Sequence, residues 1–229
     1  MKRRYPLLVR KKVERLEYAA SNRRRHDNGS SQQSSVAETP PQRLMMAAAA
    51  ELVENGGRLE MASVAARAGV SVGLSYHYFR SKAGLIAAVV EDFYDRYDAE
   101  VIDVNPLPGH DWAARERRRV ELMVDFYLRE PLAPLVLARL SMEPEVAAVD
   151  AQRIARHIKL AARNVEGARR KGHLPAGPDA SLLVGMIMGG LRQAVGQVLA
   201  GHVPRDRDRL VEDLWGFISA AAGLGTQDR

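Results

Sequence analysis

The side chains best suited to specific polar contacts are concentrated in one short stretch of the chain, from Ser71 to Lys82. The stretch contains hydroxyls, an imidazole and an ammonium group, with Tyr76 and His77 at its centre. Groups of this kind hydrogen-bond to phosphate oxygens and to the edges of bases. Recognition of a polar partner is therefore the chemistry that the stretch suggests.

The elements around this stretch are predicted to form a helix-turn-helix. The apolar pattern and its breaks predict short helices at about 61–68 and 72–79, separated by a turn at Gly69. Gly69 can adopt the positive φ of such a turn at little steric cost. A helix of the second one's size fits the major groove of DNA. Its outward-facing residues are predicted to be Val72, Gly73, Tyr76 and His77.

The run Ala68-Gly-Val-Ser-Val-Gly-Leu-Ser-Tyr-His-Tyr-Phe-Arg-Ser-Lys82 resembles a motif of the TetR family of regulators. The resemblance covers residues 43–90 and implies a three-helix DNA-binding domain at about 42–80. It further implies that a long fourth helix joins this domain to a helical domain for effector binding and dimerisation. Lys82 matches the family's phosphate-binding lysine. The DNA-binding residues expected from this resemblance are Arg43, Ser71, Val72, Gly73, Tyr76, His77, Tyr78 and Lys82.

Three features depart from the family pattern. The loop after Gly57 is about two residues shorter than usual. Glu60 stands where the family usually has a threonine that caps the second helix and touches a phosphate; a carboxylate can cap a helix but repels phosphate. Ser75 replaces a Leu or Ile that packs inward beside Phe79, which weakens the motif core or leaves room for Leu74.

Charge and composition divide the chain into three parts. Residues 1–35 contain ten Lys or Arg and three Asp or Glu, and the whole chain has a net charge of +6, so the basicity lies almost entirely in this segment. We expect a flexible basic tail at 1–38, either a DNA-binding arm or a dispensable leader. The DNA-binding domain with its linking fourth helix is predicted at 39–98. The effector-binding and dimerisation domain is predicted at 99–229.

The fold class predicted from the rest of the pattern is all-α. It comprises an N-terminal three-helix, helix-turn-helix DNA-binding domain and a helical C-terminal ligand-binding and dimerisation domain. The last two helices, over about 178–222, carry apolar faces that could form a homodimer interface or an ordinary monomer core. Further helices are predicted at about 40–55, 81–97, 111–129, 132–141, 144–171, 178–200 and 206–222.

The middle helices are expected to enclose a pocket for a small hydrophobic or amphipathic effector. Met and aromatic residues at helical spacing are more often plain core, so each individual residue is a weak candidate. The predicted lining residues are Phe93, Trp112, Met123, Phe126, Tyr127, Leu137, Met142, His157 and Met186.

Several other classes of protein are disfavoured by the sequence. With no cysteine, a disulfide framework, a thiolate metal site and a cysteine nucleophile are excluded. The histidines are scattered and form no metal or catalytic motif, so we predict no enzyme, no metal and no cofactor. The apolar run near the N-terminus is too short for a signal sequence, and we expect no stretch long and apolar enough to span a membrane.

Taken together, the resemblance implies a cytoplasmic transcription regulator whose partners are double-stranded operator DNA, a small-molecule effector and a second copy of the chain. By family default it is a repressor that its ligand releases from the operator. The alternative is a helical protein-interaction module that has lost DNA binding. Glu60 and Ser75 are the residues that favour this alternative.

Overall fold

The computed structural model describes residues 38–138, 140 and 144–225, and the regular elements in that part of the chain are all helical. The predicted all-α class is therefore confirmed. The basic tail up to residue 37 and Met142 lie outside the described residues. The α-helices are α1 (Pro40–Glu54), α2 (Met61–Arg67), α3 (Val72–Phe79), α4 (Lys82–Tyr97), α5 (Trp112–Arg129), α6 (Ala133–Ala138), α7 (Pro144–Arg170), α8 (Ala180–Leu199) and α9 (Arg207–Ala221).

Several helices start at residues whose side chains satisfy the free backbone N–H groups of the first turn. Asp111, Asp179 and Asp206 cap α5, α8 and α9 in this way. The carboxylate of each accepts the backbone N–H of the residue three positions later, at 2.8 to 3.0 Å. At α1 the side chain of Gln42 accepts the N–H of Thr39 at 2.9 Å. These caps explain why the predicted starts lie within one or two residues of the observed ones.

The chain divides into two compact units, of which the first contains α1 to α3 and nearly all of α4. In this unit α1 packs on α2, and α2 packs on α3. Its core also contains two carboxylate side chains, those of Glu51 in α1 and Asp95 in α4, which are 3% and 6% exposed. Among its fully buried apolar residues are Leu44, Leu52, Val64 and Leu85.

The second unit starts at Tyr97 and contains α5, α6, α8, α9 and all of α7 except its first three residues. Helix α5 packs along α9, where the rings of Trp112 and Trp215 lie 6.5 Å apart. Arg207 of α9 also binds Asp125 of α5 with two parallel hydrogen bonds of 2.7 and 3.0 Å. The guanidinium of Arg207 lowers the pKa of the Asp125 carboxyl, so the pair stays ionised at neutral pH.

Helix α4 does not stop at Tyr97 but continues as a π-helical turn over Asp98–Ile102, here called the π segment. Its C-terminal carbonyl groups are satisfied by Arg119 of α5, which donates to the backbone oxygens of Val101, Ile102 and Val104. Single π turns are rare and occur often at functional sites. The apolar stripe of α4 does not reveal this turn, and the prediction ended the helix at 97.

Helix α8 differs from its sequence-based description in one respect. Ala180–Leu199 is the one helix of the described residues that is long and apolar enough to cross a membrane, by length and composition alone. The expectation that no stretch would reach this limit is therefore wrong. A core helix of a soluble protein passes the same test, and α8 packs on α6 and α9.

Candidate nucleic-acid interface

The turn between α2 and α3 has the geometry of a helix-turn-helix. Gly69 adopts a φ of +64°, and the N–H of Val70 closes the turn on the carbonyl of Ala65 at 3.0 Å. Ser71 then caps α3, because its hydroxyl accepts the N–H of Leu74 at 3.2 Å. The first turn of α3 thus starts immediately after the glycine turn. Ser71, one of the predicted DNA-binding residues, has a structural role here as a cap.

One face of α3 is open to solvent and carries most of the predicted DNA-binding residues. Val72 and Tyr76 are 40% and 46% exposed, and His77 is also exposed. Gly73 lies on the same face, and a Cβ atom added there would meet no other atom within 4 Å. Tyr78 is half-buried, with its ring edge-on to that of His77. The face offers aromatic and imidazole side chains and lets the backbone approach a partner closely.

The opposite face of α3 shows how the Ser75 departure is accommodated. Ser75 is completely buried, and its hydroxyl donates to the carbonyl of Val72 at 2.6 Å. This bond removes the cost of burying an unsatisfied hydroxyl. Leu74 is half-buried beside it. The departure therefore leaves the helix-turn-helix intact.

The junction between α3 and α4 is a tight, strained turn. Arg80 adopts a φ of +63° and a ψ of −40°, and the N–H of Ser81 bonds to the carbonyl of Phe79 at 2.7 Å, which makes a γ-turn. Ser81 caps α4, since its hydroxyl accepts the N–H of Gly84 at 2.8 Å. At Gly84 a Cβ atom would lie only 2.3 Å from the Phe79 carbonyl oxygen. This junction fixes the direction in which Lys82 leaves the motif.

The cations of the first unit fall into two groups. Arg43, Arg58 and Arg80 are exposed and form no ion pair with any residue that the structure describes. Lys82 does form one: its ammonium lies 3.5 Å from the carboxylate of Glu60. The free cations and Lys82 are the groups available to neutralise phosphates.

Glu60 does not cap α2 with its side chain, as the sequence had allowed. The buried Glu51 instead accepts the backbone N–H of Glu60 at 2.7 Å. Sequence reasoning missed Glu51, because a glutamate within a helical pattern is normally exposed. The signal was its position beside Ala48 and Leu52 on the apolar face of α1.

In the second unit, three of the predicted effector residues come together around Tyr97. Its ring lies 5.2, 5.4 and 5.7 Å from the rings of Phe126, Tyr127 and His157. We call these four residues the aromatic cluster. Burial raises the pKa of Tyr127 to about 12, although Arg192 and a hydrogen bond with Tyr97 act in the opposite direction.

A buried carboxylate lies against this aromatic cluster. Asp98, 4% exposed, accepts hydrogen bonds from Arg153 and Arg156 at 2.9 and 2.7 Å and contacts Nε2 of His157. Arg156 also reaches the carboxylate of Asp103 at 2.9 Å. The three partners of Asp98 lie on one face of α7, so this helix holds the start of the π segment. Sequence reasoning missed the contact because its partners are more than fifty positions away.

The other predicted effector residues are dispersed. Trp112 faces α9, Met123 is buried within α5, and Leu137 is half-buried on α6. Phe93 belongs to the first unit, where it contacts Tyr94, and Met186 is 52% exposed on α8. A groove of about 440 Å³ on α7 is lined by none of them. Its lining residues are Ala155, Ile158, Lys159, Ala162, Arg163, Glu166 and Ser181.

Helices α8 and α9 share an apolar face that the fold leaves uncovered. Leu182, Met186 and Phe217 are 60%, 52% and 46% exposed, although all three are large and apolar. Gly189 and Gly190 lie between them, and the Phe217 ring is 3.0 Å from the position of a Cβ at Gly190. A surface of this kind is typical of a protein–protein interface.

Comparison with known proteins agrees with this geometry. Residues 44–89 match the family described as "Bacterial regulatory proteins, tetR family". No curated protein matches the chain by sequence.

Solved structures share the fold at low sequence identity. A TetR-family transcriptional regulator from Rhodococcus sp. has 22% identity and a TM-score of 0.63, over 80% of this chain and 98% of that one. The fatty acid degradation regulator FadR from Bacillus halodurans has 19% sequence identity and a TM-score of 0.67, over 81% of this chain and 98% of that one. FadR from Bacillus subtilis, solved in complex with stearoyl-CoA, has 15% sequence identity and a TM-score of 0.68, over 78% of this chain and 97% of that one.

Proposed function

We propose that this chain, which belongs to the TetR family of bacterial regulatory proteins, binds operator DNA as a homodimer through its helix-turn-helix. The observation that carries the proposal is the exposed face of α3, with Tyr76 and His77 beside the bare backbone of Gly73. A helix presented in this way enters the major groove and reaches base edges.

The residues of this surface divide into two roles. Tyr76 and His77 contact bases, because they project from the exposed face of α3. Arg43 and Lys82 contact phosphates, because they are cations on the helices that flank α3. Base contacts give sequence preference, whereas phosphate contacts give affinity for any sequence.

Dimerisation through α8 and α9 accounts for the apolar face left uncovered on these helices. Leu182, Met186 and Phe217 would be buried against the same residues of a second copy about a two-fold axis. Gly189 and Gly190 allow the paired helices to approach closely. A dimer also supplies the second recognition helix, placed about 34–36 Å from the first, that a two-fold operator needs.

The effector is a small hydrophobic or amphipathic molecule, and its binding releases a repressor from the operator. The aromatic cluster in the second unit supports an apolar ligand, and the polar groups around Asp98 support one with a polar end. FadR from Bacillus subtilis, which shares the fold, is solved in complex with stearoyl-CoA. Long-chain acyl-CoA thioesters are therefore the first compounds to try.

A gel-shift experiment with the DNA flanking the protein's own gene tests the DNA-binding function. We expect Tyr76→Ala and His77→Ala to reduce discrimination between this DNA and random DNA. Lys82→Ala should weaken binding to both and reduce the slope of log affinity against log salt by about 0.9 per subunit.

Arg67→Ala is the matched control. It removes a cation from the opposite end of α2, where Arg67 pairs with Glu54 at 2.7 Å, and it should leave binding nearly unchanged. Binding of wild type to neither DNA at low salt would instead support the interaction module without DNA binding. The pairing of Lys82 with Glu60 is the observation that favours this second function.

A further inference from the structure

We propose that Glu60 sets the DNA affinity of this protein by occupying the ammonium group of Lys82 until a phosphate replaces it. The inference rests on the proposed DNA-binding function and adds to it a residue that limits affinity. Lys82 would then be masked in the free protein rather than simply available.

The contact itself is the first observation. Glu60 Oε1 lies 3.5 Å from Lys82 Nζ, and the side chains are 81% and 48% exposed. An exposed ion pair is weak, so a phosphate can displace the carboxylate.

The second observation is that the carboxylate of Glu60 has no other role in the part of the chain that the structure describes. It makes no cap bond at the start of α2. The backbone N–H of Glu60 is already bonded to the buried carboxylate of Glu51 at 2.7 Å. Replacing the Glu60 side chain should therefore leave the fold unchanged, so a functional effect can be measured separately from stability.

The third observation is the low charge of the domain around it. Residues 38–82 contain five Lys or Arg and four Asp or Glu. Two of the five cations, Arg67 and Lys82, are paired with glutamates. With so few cations available, masking one per subunit takes away a large part of the electrostatic attraction to DNA.

Glu60→Gln tests the proposal, because it removes the charge and keeps the shape. Affinity for a short mixed-sequence DNA duplex should rise roughly 2- to 30-fold for a dimer at low salt. The slope of log affinity against log salt should stay close to that of wild type, because Lys82 neutralises one phosphate per subunit in both proteins. Thermal unfolding of the variant should match that of wild type.

Glu54→Gln is the matched control, because it removes a glutamate that pairs with a cation at the other end of α2. It should change neither the affinity nor the slope. An equal gain from both variants would mean that net charge alone matters, and the proposal would be wrong.

A double-mutant cycle tests the involvement of Lys82. In a Lys82→Ala background the gain from Glu60→Gln should largely vanish. An undiminished gain would show that Glu60 acts by repelling phosphate independently of Lys82, which overturns the proposal. If wild type binds DNA and Glu60→Gln matches it, only this inference fails; if neither protein binds at low salt, the proposed function fails with it.

Discussion

Asp98 makes several polar contacts that the sequence alone does not reveal. It follows the apolar stripe of α4 and would be taken for an exposed end-of-helix aspartate. Its burial depends on Arg153, Arg156 and His157, which α7 brings to it from more than fifty positions away. Contacts at this separation depend on the packing of helices, and a local pattern does not encode them.

We expect Asp98→Asn to lower the free energy of unfolding by about 2–4 kcal/mol, because it leaves two guanidinium groups without their shared carboxylate. The loss in free energy of unfolding is smaller than for two fully buried guanidinium groups, because Arg156 is partly exposed and remains solvated. Asp103→Asn removes an exposed carboxylate, 53% accessible, from the same Arg156 and should cost less than about 1 kcal/mol. Urea unfolding of both variants checks this, and equal losses would contradict the dominant role of Asp98.

Tyr127 leads to a prediction about alkaline pH. Its pKa in the folded protein is raised to about 12 from 10.0, so the folded state holds the phenolic proton more tightly than the unfolded chain. The resulting stability is fully present below about pH 10 and is lost as the pH rises toward 12, to a total of about 2–3 kcal/mol.

Tyr127→Phe should therefore be about 1 kcal/mol less stable than wild type at neutral pH, because the hydrogen bond with Tyr97 is lost. Above about pH 11 the order should reverse, since the phenylalanine has no proton to lose. Tyr76→Phe, which removes an exposed hydroxyl, is the control for the loss of one phenol. Unfolding curves of wild type and Tyr127→Phe that stay parallel across this range would contradict the prediction.

At the scale of elements, the sequence predicted the helices well because residues close to each helix end determine where that helix starts and stops. Proline, glycine and capping aspartates mark most of the boundaries, and the starts of α5, α8 and α9 follow their aspartates. The π segment and the γ-turn at Arg80 were not predictable. The γ-turn places Arg80 at a positive φ that its residue type does not favour. The π segment depends on contacts with Arg119 and α7 that come from distant parts of the chain.

The apolar face of α8 and α9 gives the prediction at this scale. Met186→Glu should weaken the dimer by roughly 100-fold or more, because a two-fold interface contains the charge twice. Leu160→Glu places the same charge on α7, at a leucine that is 38% exposed, and should leave the dimer intact. Sedimentation equilibrium measures the dimer dissociation constant of wild type and of both variants.

A soluble wild-type monomer would contradict this interface. Wild type that partitions into membranes would contradict it as well, and would give the length and apolarity of α8 another explanation.

At the scale of the whole molecule, the sequence separated the parts by composition but did not locate the effector. The net charge of residues 1–35 and the motif between Ser71 and Lys82 are visible in the residues themselves. The effector residues were chosen by type. Of those that the structure describes, Phe126, Tyr127 and His157 meet around Tyr97, whereas Trp112 and Met186 lie elsewhere. Aromatic residues of a pocket and of a core share the same helical spacing, so residue type alone does not distinguish them.

The function that we propose for the whole molecule requires that effector and operator affect each other's binding. Helix α4 runs from the end of the helix-turn-helix to Tyr97 and Asp98, where the aromatic cluster and the π segment begin. A ligand that binds in the second unit can release DNA only if it binds the DNA-incompetent conformation more tightly than the competent one. A coupling of about 1–3 kcal/mol would weaken operator binding about 5- to 150-fold.

Reciprocity then requires operator DNA to weaken ligand binding by the same factor. Acyl-CoA thioesters, followed by other amphipathic compounds, can be screened for thermal stabilisation and each hit titrated with and without operator. We expect true effectors to bind more weakly in the presence of operator, and Asp98→Asn to change this ratio, because Asp98 connects the π segment to α7. Asp103→Asn is the control. Ligands that all bind equally well with and without operator would rule out release by effector and leave the DNA-binding function standing.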